Sequence, residues 1–197
     1  MTIYLQKKIN PDYKRKILVI GVFHGDEPQG EYFINTYLKK NKKPEKNTVF
    51  YIPRLNLSNT RKNKNGVDLN RNFPTKNWIK SENNDYFGGE KPNSEEETSF
   101  LVDLIDNENF DAIITIHSPY KVINYDGPAE SLSKEIQKFI SYPITNDIGY
   151  PTPGSFGTYC GVERKIPTVT IEIDENEDID ILKEKFHGLF EFLENNW

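Results

Sequence analysis

Residues 17–27 read Ile-Leu-Val-Ile-Gly-Val-Phe-His-Gly-Asp-Glu, and this stretch decides the fold. The apolar run 17–23 predicts a strand that is buried on both faces. From 27 to 40 the apolar residues then recur at helical spacing, which predicts a helix with one buried face. A buried strand that leads directly into a helix is typical of α/β domains.

Apolar runs and helical patterns continue to alternate along the chain. Three more strands are predicted at 48–53, 112–116 and 168–173, and three more helices are predicted after Ser94, at 131–140 and at 179–195. Ser94 and Glu97 form a capping box, which predicts Ser94 as the N-cap of its helix. The irregular stretch 54–94 is long enough to indicate a functional loop. We therefore predict a single domain over residues 1–197, of the α/β class, with a mixed, largely parallel twisted sheet and helices on both faces.

The composition excludes several classes of protein. A chain of 197 residues suits one domain, and its net charge of −5 lacks the basic field expected of a nucleic-acid binder. Cys160 is the only cysteine, which rules out an intrachain disulfide and a thiolate metal cluster and agrees with a reducing compartment. The apolar segments are too short for a signal peptide or a membrane span. We expect a cytoplasmic protein without a nucleic-acid or membrane partner; its oligomeric state is left open.

Two of the three histidines follow predicted strands. His24 comes directly after the strand at 17–23, His117 ends the strand at 112–116, and Glu27 begins a helix. A single strand-end histidine is more often a hydrogen-bonding residue than a metal ligand, so the pair carries the argument. In open α/β sheets, ligands bind beyond the carboxyl ends of the strands. Two imidazoles and one carboxylate suit one Zn²⁺ per chain and leave its fourth position open, as in catalytic sites.

Four motifs, taken in order, resemble the zinc carboxypeptidases. They are His24-Gly25-Asp26-Glu27, Gly66-Val67-Asp68-Leu69-Asn70-Arg71-Asn72-Phe73-Pro74, Ile116-His117-Ser118 and Thr170-Ile171-Glu172. Arg61 with Asn63 and the segments 94–98, 125–129 and 151–159 are similar to those of murein peptide amidases within that family. The resemblance implies the zinc carboxypeptidase fold and a hydrolase that cleaves the γ-D-glutamyl–meso-diaminopimelate bond of a murein tripeptide during cell-wall recycling.

The same resemblance implies roles for five further residues. Glu172 matches the family's general base, although strand alternation alone would equally allow it to face solvent. Arg61 resembles the arginine that stabilises the oxyanion, but it also lies in a basic loop, where a surface role competes. Asn70 and Arg71 resemble the pair that binds the substrate's terminal carboxylate, which a planar guanidinium fits well. Tyr159 resembles the mobile tyrosine that closes over substrate, with an alignment gap of one residue.

Two other functions stay open from the sequence. A zinc deacylase of the succinylglutamate desuccinylase or aspartoacylase type would share the metal triad, although the segments 70–74 and 154–157 favour the peptidase. A non-catalytic protein that binds wall peptides would keep the same residues. Arg164 and Asp126 are candidates for contacts with a diaminopimelate side chain.

Overall fold

A computed structural model of the chain describes residues 2–197. Its strands are β1 (Gln6–Lys8), β2 (Lys16–Ile20), β3 (Thr48–Ile52), β4 (Ala112–His117), β5 (Val122–Asp126), β6 (Ile144–Thr145) and β7 (Thr168–Glu172). They form one seven-stranded sheet in the order β1-β3-β2-β4-β7-β5-β6. The pairs β3-β2, β2-β4, β4-β7 and β5-β6 are parallel, whereas β1-β3 and β5-β7 are antiparallel. The predicted mixed, largely parallel sheet is confirmed.

Helices cover both faces of this sheet. They are α1 (Gln29–Leu38), α2 (Glu96–Asn107), α3 (Glu130–Gln137) and α4 (Ile179–Asn195), with a 3₁₀ turn at Leu69–Arg71 and a π-helical turn at Thr158–Glu163. Alternate residues of β2 enter two separate apolar clusters: Val19 packs with residues of α1, α3 and α4, and Leu18 packs with residues of α2. Because neighbouring strand residues point to opposite faces, a strand buried on both sides must be apolar throughout. In residues 2–197, no helix combines the length and apolar character needed to cross a membrane.

The start of α2 differs from the prediction. Its N-cap is Glu95, which makes no side-chain capping bond, and Ser94 Oγ instead donates to Glu95 Oε1 at 2.7 Å. The backbone amides of Ser94 and Glu95 both donate to Asn72 Oδ1, at 3.1 and 3.2 Å. The predicted capping box is therefore wrong, because Ser94 precedes the N-cap and Asn72 holds the backbone that leads into the helix.

Most other predicted elements are present with shifted ends. The first strand ends at Ile20 rather than 23, and the helix after it begins at Gln29 rather than 27. Apart from the 3₁₀ turn, the loop 54–94 is irregular, as predicted. The strands β1, β5 and β6 were not predicted, and β5 proves to form one wall of the candidate site.

Candidate active site

The three predicted metal ligands converge at the carboxyl ends of β2 and β4. Nitrogen and oxygen atoms of His24, Glu27 and His117 all lie within 4.8 Å of one another, and all three residues are buried. The Nδ1 atoms of His24 and His117 face the two oxygens of Glu27, at 2.8 and 3.0 Å. Adjacent parallel strands bring the two histidines together, since β2 pairs directly with β4. Two ring nitrogens and one carboxylate form a donor set that fits zinc.

The surroundings of the triad favour a proton on His24 and an ionised Glu27. Burial alone would lower the pKa of His24, but its hydrogen bonds to Asp68 and Glu27 outweigh burial and raise the pKa to about 9. Burial would raise the pKa of Glu27, but the charges and hydrogen bonds of His117 and His24 lower it to about 2. The pKa of His117 is lowered, because burial outweighs its attraction to Glu27. A cation must displace the His24 proton, so metal binding would release a proton.

A fourth residue, Asp68, supports the triad and was not among the predicted site residues. Its side chain is fully buried, and Oδ1 lies 3.2 Å from His24 Nε2. Arg61 donates to Asp68 Oδ2 from Nη2 at 2.9 Å and from Nε at 3.2 Å. Burial would raise the pKa of Asp68, but His24, Arg61 and Arg71 hold it well below its ordinary value. One carboxylate therefore orients both a metal ligand and an arginine, and its place in the Gly66–Pro74 motif was the available signal.

Glu172 ends β7 directly beside His117, with which it is paired in the parallel ladder. The side chain is buried, and its Oε2 atom has no hydrogen-bond partner within residues 2–197. Burial first, and then repulsion by Glu27, raise the pKa of Glu172 to about 8. A cation held by the triad would counteract both effects, because it favours the charged carboxylate. The protonation of Glu172 thus depends on the occupancy of the triad.

Both predicted arginines line the same cavity as the triad and Glu172. Arg71 ends the 3₁₀ turn and is 6% exposed, with Nη1 donating to the backbone oxygen of Asn70 at 2.7 Å. Asn70 also lines the cavity, and its Oδ1 accepts from the backbone amide of Phe156 at 2.9 Å. The Tyr86 ring lies 5.1 Å from Arg61 Cζ and 5.6 Å from Arg71 Cζ. The geometry therefore gathers Arg61, Asn70 and Arg71 on one side of the cavity.

The structure does not bring Tyr159 to this cavity. Tyr159 lies in the π-helical turn, where its fully buried ring packs against Phe73 with centroids 5.4 Å apart. Its hydroxyl accepts from Arg164 Nη2 at 2.6 Å. The apolar ring is thus held by the core, and the predicted substrate contact is corrected. Tyr150 lines the cavity in its place, exposed in a loop and 6.4 Å from the ring of Tyr120.

Arg164 and Asp126 were both candidates for contacts with a long substrate side chain, and the structure brings only Asp126 to the cavity. Arg164 stacks 3.4 Å over the Tyr159 ring and lies within 3.5 Å of Asp106, outside the set of residues that lines the cavity. Asp126 does line the cavity, as does Asn124 two residues earlier on the same strand. Asp126 was a candidate from the sequence, whereas Asn124 was not, because β5 meets β7 through a non-local antiparallel register.

Comparison with known proteins agrees with this geometry. The family described as "Zinc carboxypeptidase" matches residues 1–136. Murein peptide amidase A of Vibrio campbellii is 37% identical over 136 residues, covering 61% of this chain and 53% of that protein. Murein peptide amidase A of Escherichia coli K12 is 36% identical over 112 residues, covering 51% of this chain and 46% of that protein. The alignments therefore span about half the length of these relatives.

Solved structures extend the comparison to nearly the whole chain. The murein-tripeptide amidase of Escherichia coli O157 superposes with a TM-score of 0.78 at 27% identity, covering 93% of this chain and 83% of that one. Thrombin-activatable fibrinolysis inhibitor superposes with a TM-score of 0.74 at 17% identity, covering 98% of this chain and 64% of that one. At the lower identity the likeness concerns the fold alone. The family match ends before Tyr150 and Glu172, so their positions rest on the geometry described above.

Proposed function

This chain belongs to the zinc carboxypeptidase family, and on that premise we propose that it hydrolyses the γ-D-glutamyl–meso-diaminopimelate bond of murein peptides as a zinc-dependent carboxypeptidase. One observation carries the proposal: the metal-ligand triad, a buried carboxyl with one unpartnered oxygen and two arginines all line one cavity. A peptidase of this type needs a metal site, a proton acceptor and a cationic group for the substrate's terminal carboxylate.

We assign the metal site to His24, Glu27 and His117. A zinc ion bound there would supply Lewis-acid polarisation of the scissile carbonyl and would lower the pKa of a coordinated water. Glu172 takes the proton of that water and returns it to the leaving amine, for which its position beside His117 is well suited. Its partly desolvated surroundings keep its proton affinity in a range useful for both transfers.

We assign substrate positioning to the arginine side of the cavity. Arg61, fixed by two hydrogen bonds to Asp68, stabilises the negative charge that develops on the carbonyl oxygen. Arg71 and Asn70 bind the free carboxylate at the substrate's end, because a guanidinium fork matches a carboxylate in shape and charge. Tyr150, at the exposed rim, is the tyrosine we assign to cover the bound peptide.

The substrate class rests on the relatives. Two proteins named murein peptide amidase are 36–37% identical over the matched region, and a murein-tripeptide amidase shares the fold over 93% of the chain. We propose a small murein tripeptide as the substrate, and recycling of wall peptides in the cytoplasm as the setting. Fractionation of cells that express the tagged protein tests the location.

The direct test incubates the zinc-loaded protein with L-Ala-γ-D-Glu-meso-diaminopimelate and measures free diaminopimelate by mass spectrometry. We expect release by the wild type, loss of release after chelation, and a loss of at least 100-fold in Glu172→Gln, whose zinc content should be unchanged. Glu82→Gln, an exposed glutamate, is the matched control and should retain activity. A fully active Glu172→Gln would show that the assigned base is wrong.

The same assay separates the competing functions. N-succinylglutamate and N-acetylaspartate are offered in parallel, and cleavage of these without cleavage of the tripeptide would replace the peptidase with a deacylase. Stoichiometric binding of the tripeptide without hydrolysis, at full zinc loading, would indicate a binding protein.

A further inference from the structure

Strand β5 lines the cavity with two polar side chains that the proposed reaction does not use. Asn124 and Asp126 are alternate residues of β5, so both point to the same face of the sheet. Asn124 is paired with Thr170 on β7, and Thr170 lies two residues before Glu172 on that same face. The side chains of these four residues line the cavity, so β5 and β7 form adjoining parts of one wall.

These two side chains offer acceptors that lack donors. Asn124 Oδ1 is buried and has no hydrogen-bond partner within residues 2–197. The Asp126 carboxylate accepts one long bond, from Asn124 Nδ2 at 3.5 Å. Buried acceptors are costly unless a donor reaches them, and a buried carboxylate also needs a positive charge. Burial alone raises the pKa of Asp126 to about 6, which reflects that missing partner.

The protein does not supply the missing charge. Within the described part of the chain, the arginines that line the cavity are Arg61 and Arg71, and no lysine lines it. Arg61 is engaged by Asp68 and Arg71 by the backbone of Asn70. The ligand that completes the Asp126 end of the cavity must therefore bring its own cationic donor, and an ammonium group does this.

Two glycines allow the neighbouring π-helical turn to pack closely against Asp126. A methyl group added at Gly157 would lie 2.1 Å from Asp126 Oδ2, and one added at Gly161 would lie 2.5 Å from Asp126 Cβ. Glycine at both positions lets the π-helical turn close on the carboxylate from the side. The packing thus confines Asp126 to a narrow range of positions beside the cavity.

The strand register sets how far this carboxylate lies from the reacting bond. Val122 is paired with Glu172 and Asp126 with Thr168, so Asp126 lies four residues further along the ladder. At roughly 3.3 Å per residue, this offset is about 13 Å along the strand. The side chains of Glu172 and Asp126 cover part of this backbone offset. An amine directly beside the cleaved bond cannot cover the rest, whereas an amine at the end of a long side chain can.

We propose that Asp126 and the side-chain oxygen of Asn124 bind the ammonium group at the far end of the leaving residue's side chain. The inference rests on the proposed function, which defines the leaving residue as the one held by Arg71. It identifies a specificity-determining pair: the cavity selects a leaving residue with a long side chain that ends in an amine.

The test measures binding rather than cleavage. Zinc-loaded wild-type protein is titrated calorimetrically at pH 8 with meso-diaminopimelate and with 2-aminopimelate, which has the same chain and both carboxylates but lacks the distal amine. We expect diaminopimelate to bind about 10- to 100-fold more tightly, the range typical of a hydrogen bond to a charged group. Asp126→Asn should remove this difference while leaving the affinity for 2-aminopimelate within about threefold.

Asp147→Asn is the matched control, because Asp147 lines the same cavity but its Oδ1 already accepts from the Gly149 amide at 2.8 Å. This variant should keep the full preference. An equal loss in Asp147→Asn would show a general electrostatic effect and overturn the assignment, as would equal or undetectable binding of both amino acids by the wild type. The comparison of two ligands on unmutated protein does not depend on any variant folding.

Cleavage of the tripeptide is measured in parallel, so that the ammonium site and the proposed reaction can be refuted independently. Cleavage without a preference for the distal amine leaves the proposed function standing and refutes the ammonium site. An Asp126-dependent preference without cleavage supports the ammonium site and refutes the proposed reaction.

Discussion

At the scale of single residues, Asp68 links two parts of the site that the motifs describe separately. Its two oxygens engage His24 on one side and Arg61 on the other. A carboxylate that holds the outer nitrogen of a metal-binding histidine fixes the ring's orientation and raises its basicity. The metal ligand and the arginine therefore depend on one buried side chain.

Replacing Asp68 should weaken both functions. We expect Asp68→Asn to lower zinc affinity about 10- to 100-fold, the usual effect of losing such a support. Affinity is measured by competition with a fluorescent zinc chelator. Asp26→Asn makes the same charge change beside the triad at an exposed position and should alter affinity little. Equal losses in the two variants would mean that only the local charge matters.

Glu172 gives the metal-free protein a distinctive pH dependence. In the folded state its pKa is about 8, against an ordinary value of 4.5. Between these pH values the folded state keeps a proton that the unfolded chain has lost, so the free energy of unfolding falls as the pH rises. Glu172→Gln removes this effect. In chelator, the variant should exceed the wild type by roughly 4–5 kcal/mol at pH 9 and match it near pH 4.

Denaturant unfolding of both proteins across this pH range measures the difference, and Glu82→Gln again serves as the exposed control. A gap between Glu172→Gln and wild type that stays constant with pH would contradict the assigned burial of this carboxyl. Zinc should reduce the gap, because the cation favours the ionised form.

At the scale of elements, the π-helical turn and β5 depend on each other through close packing. Ala at position 157 would force the turn away from Asp126, since its methyl group would lie 2.1 Å from Oδ2. We expect Gly157→Ala to destabilise the protein by about 1–3 kcal/mol, the typical cost of overpacking. Thermal and denaturant unfolding measure this.

Gly188→Ala provides the matched comparison. Gly188 lies within α4, where an added methyl group would meet Phe139 at an ordinary distance of 3.4 Å. Alanine favours the helix over glycine, so this variant should gain about 0.5–1 kcal/mol. If Gly157→Ala were equally harmless, the close approach of the turn to Asp126 would be wrong.

The elements predicted from the sequence are those whose signal is local. Strands β2, β3 and β4 are buried on both faces and largely apolar, which made them visible. Strand β7 alternates Val and Ile with Thr and Glu, a pattern of period two that also predicts a strand. Strand β1 is Gln-Lys-Lys at the sheet edge and carries no apolar signal, and β6 has two residues. Strand β5 has five residues, of which Ile123 alone is buried, so it carries little apolar signal.

The residues of the candidate site also fall into two groups, those predicted from local motifs and those placed only by the assembled fold. The proposed ligands and Glu172 follow strand ends within recognisable motifs, and the fold brings them to one cavity. Tyr150 and Asn124 reach the cavity through loop geometry and the antiparallel register of β5, which only the assembled sheet specifies. Tyr159 lies in the similar segment but turns into the core. The motifs thus predicted which residues of the proposed reaction converge, but not which residues form the walls of the cavity around them.

At the scale of the whole molecule, the triad joins distant parts of the chain, since Glu27 and His117 lie 90 residues apart. A ligand that binds only the folded state stabilises it in proportion to the logarithm of its saturation. We expect saturating zinc to raise the Tm of the wild type by several degrees, and chelation to reverse this. Binding should approach one zinc per chain.

Histidine variants test whether this gain arises at the triad. His117→Ala should lose the zinc-dependent rise in Tm, whereas His187→Gln should keep it. His187 lies in α4, where its Nε2 is 3.0 Å from Thr36 Oγ1, and it takes no part in the triad. A zinc response that survives in His117→Ala would place the metal elsewhere.

The antiparallel pairing of β5 with β7 has a consequence for how this protein could change its preference. The hydrolytic groups end β4 and β7, whereas the proposed amine-binding acid sits on β5, whose position is set by backbone pairing. An acidic residue placed two positions along β5 would lie about 7 Å away and would still point to the same face of the sheet. Tolerance for shorter or longer substrates could therefore evolve by two exchanges on one strand, with the proposed hydrolytic residues unchanged.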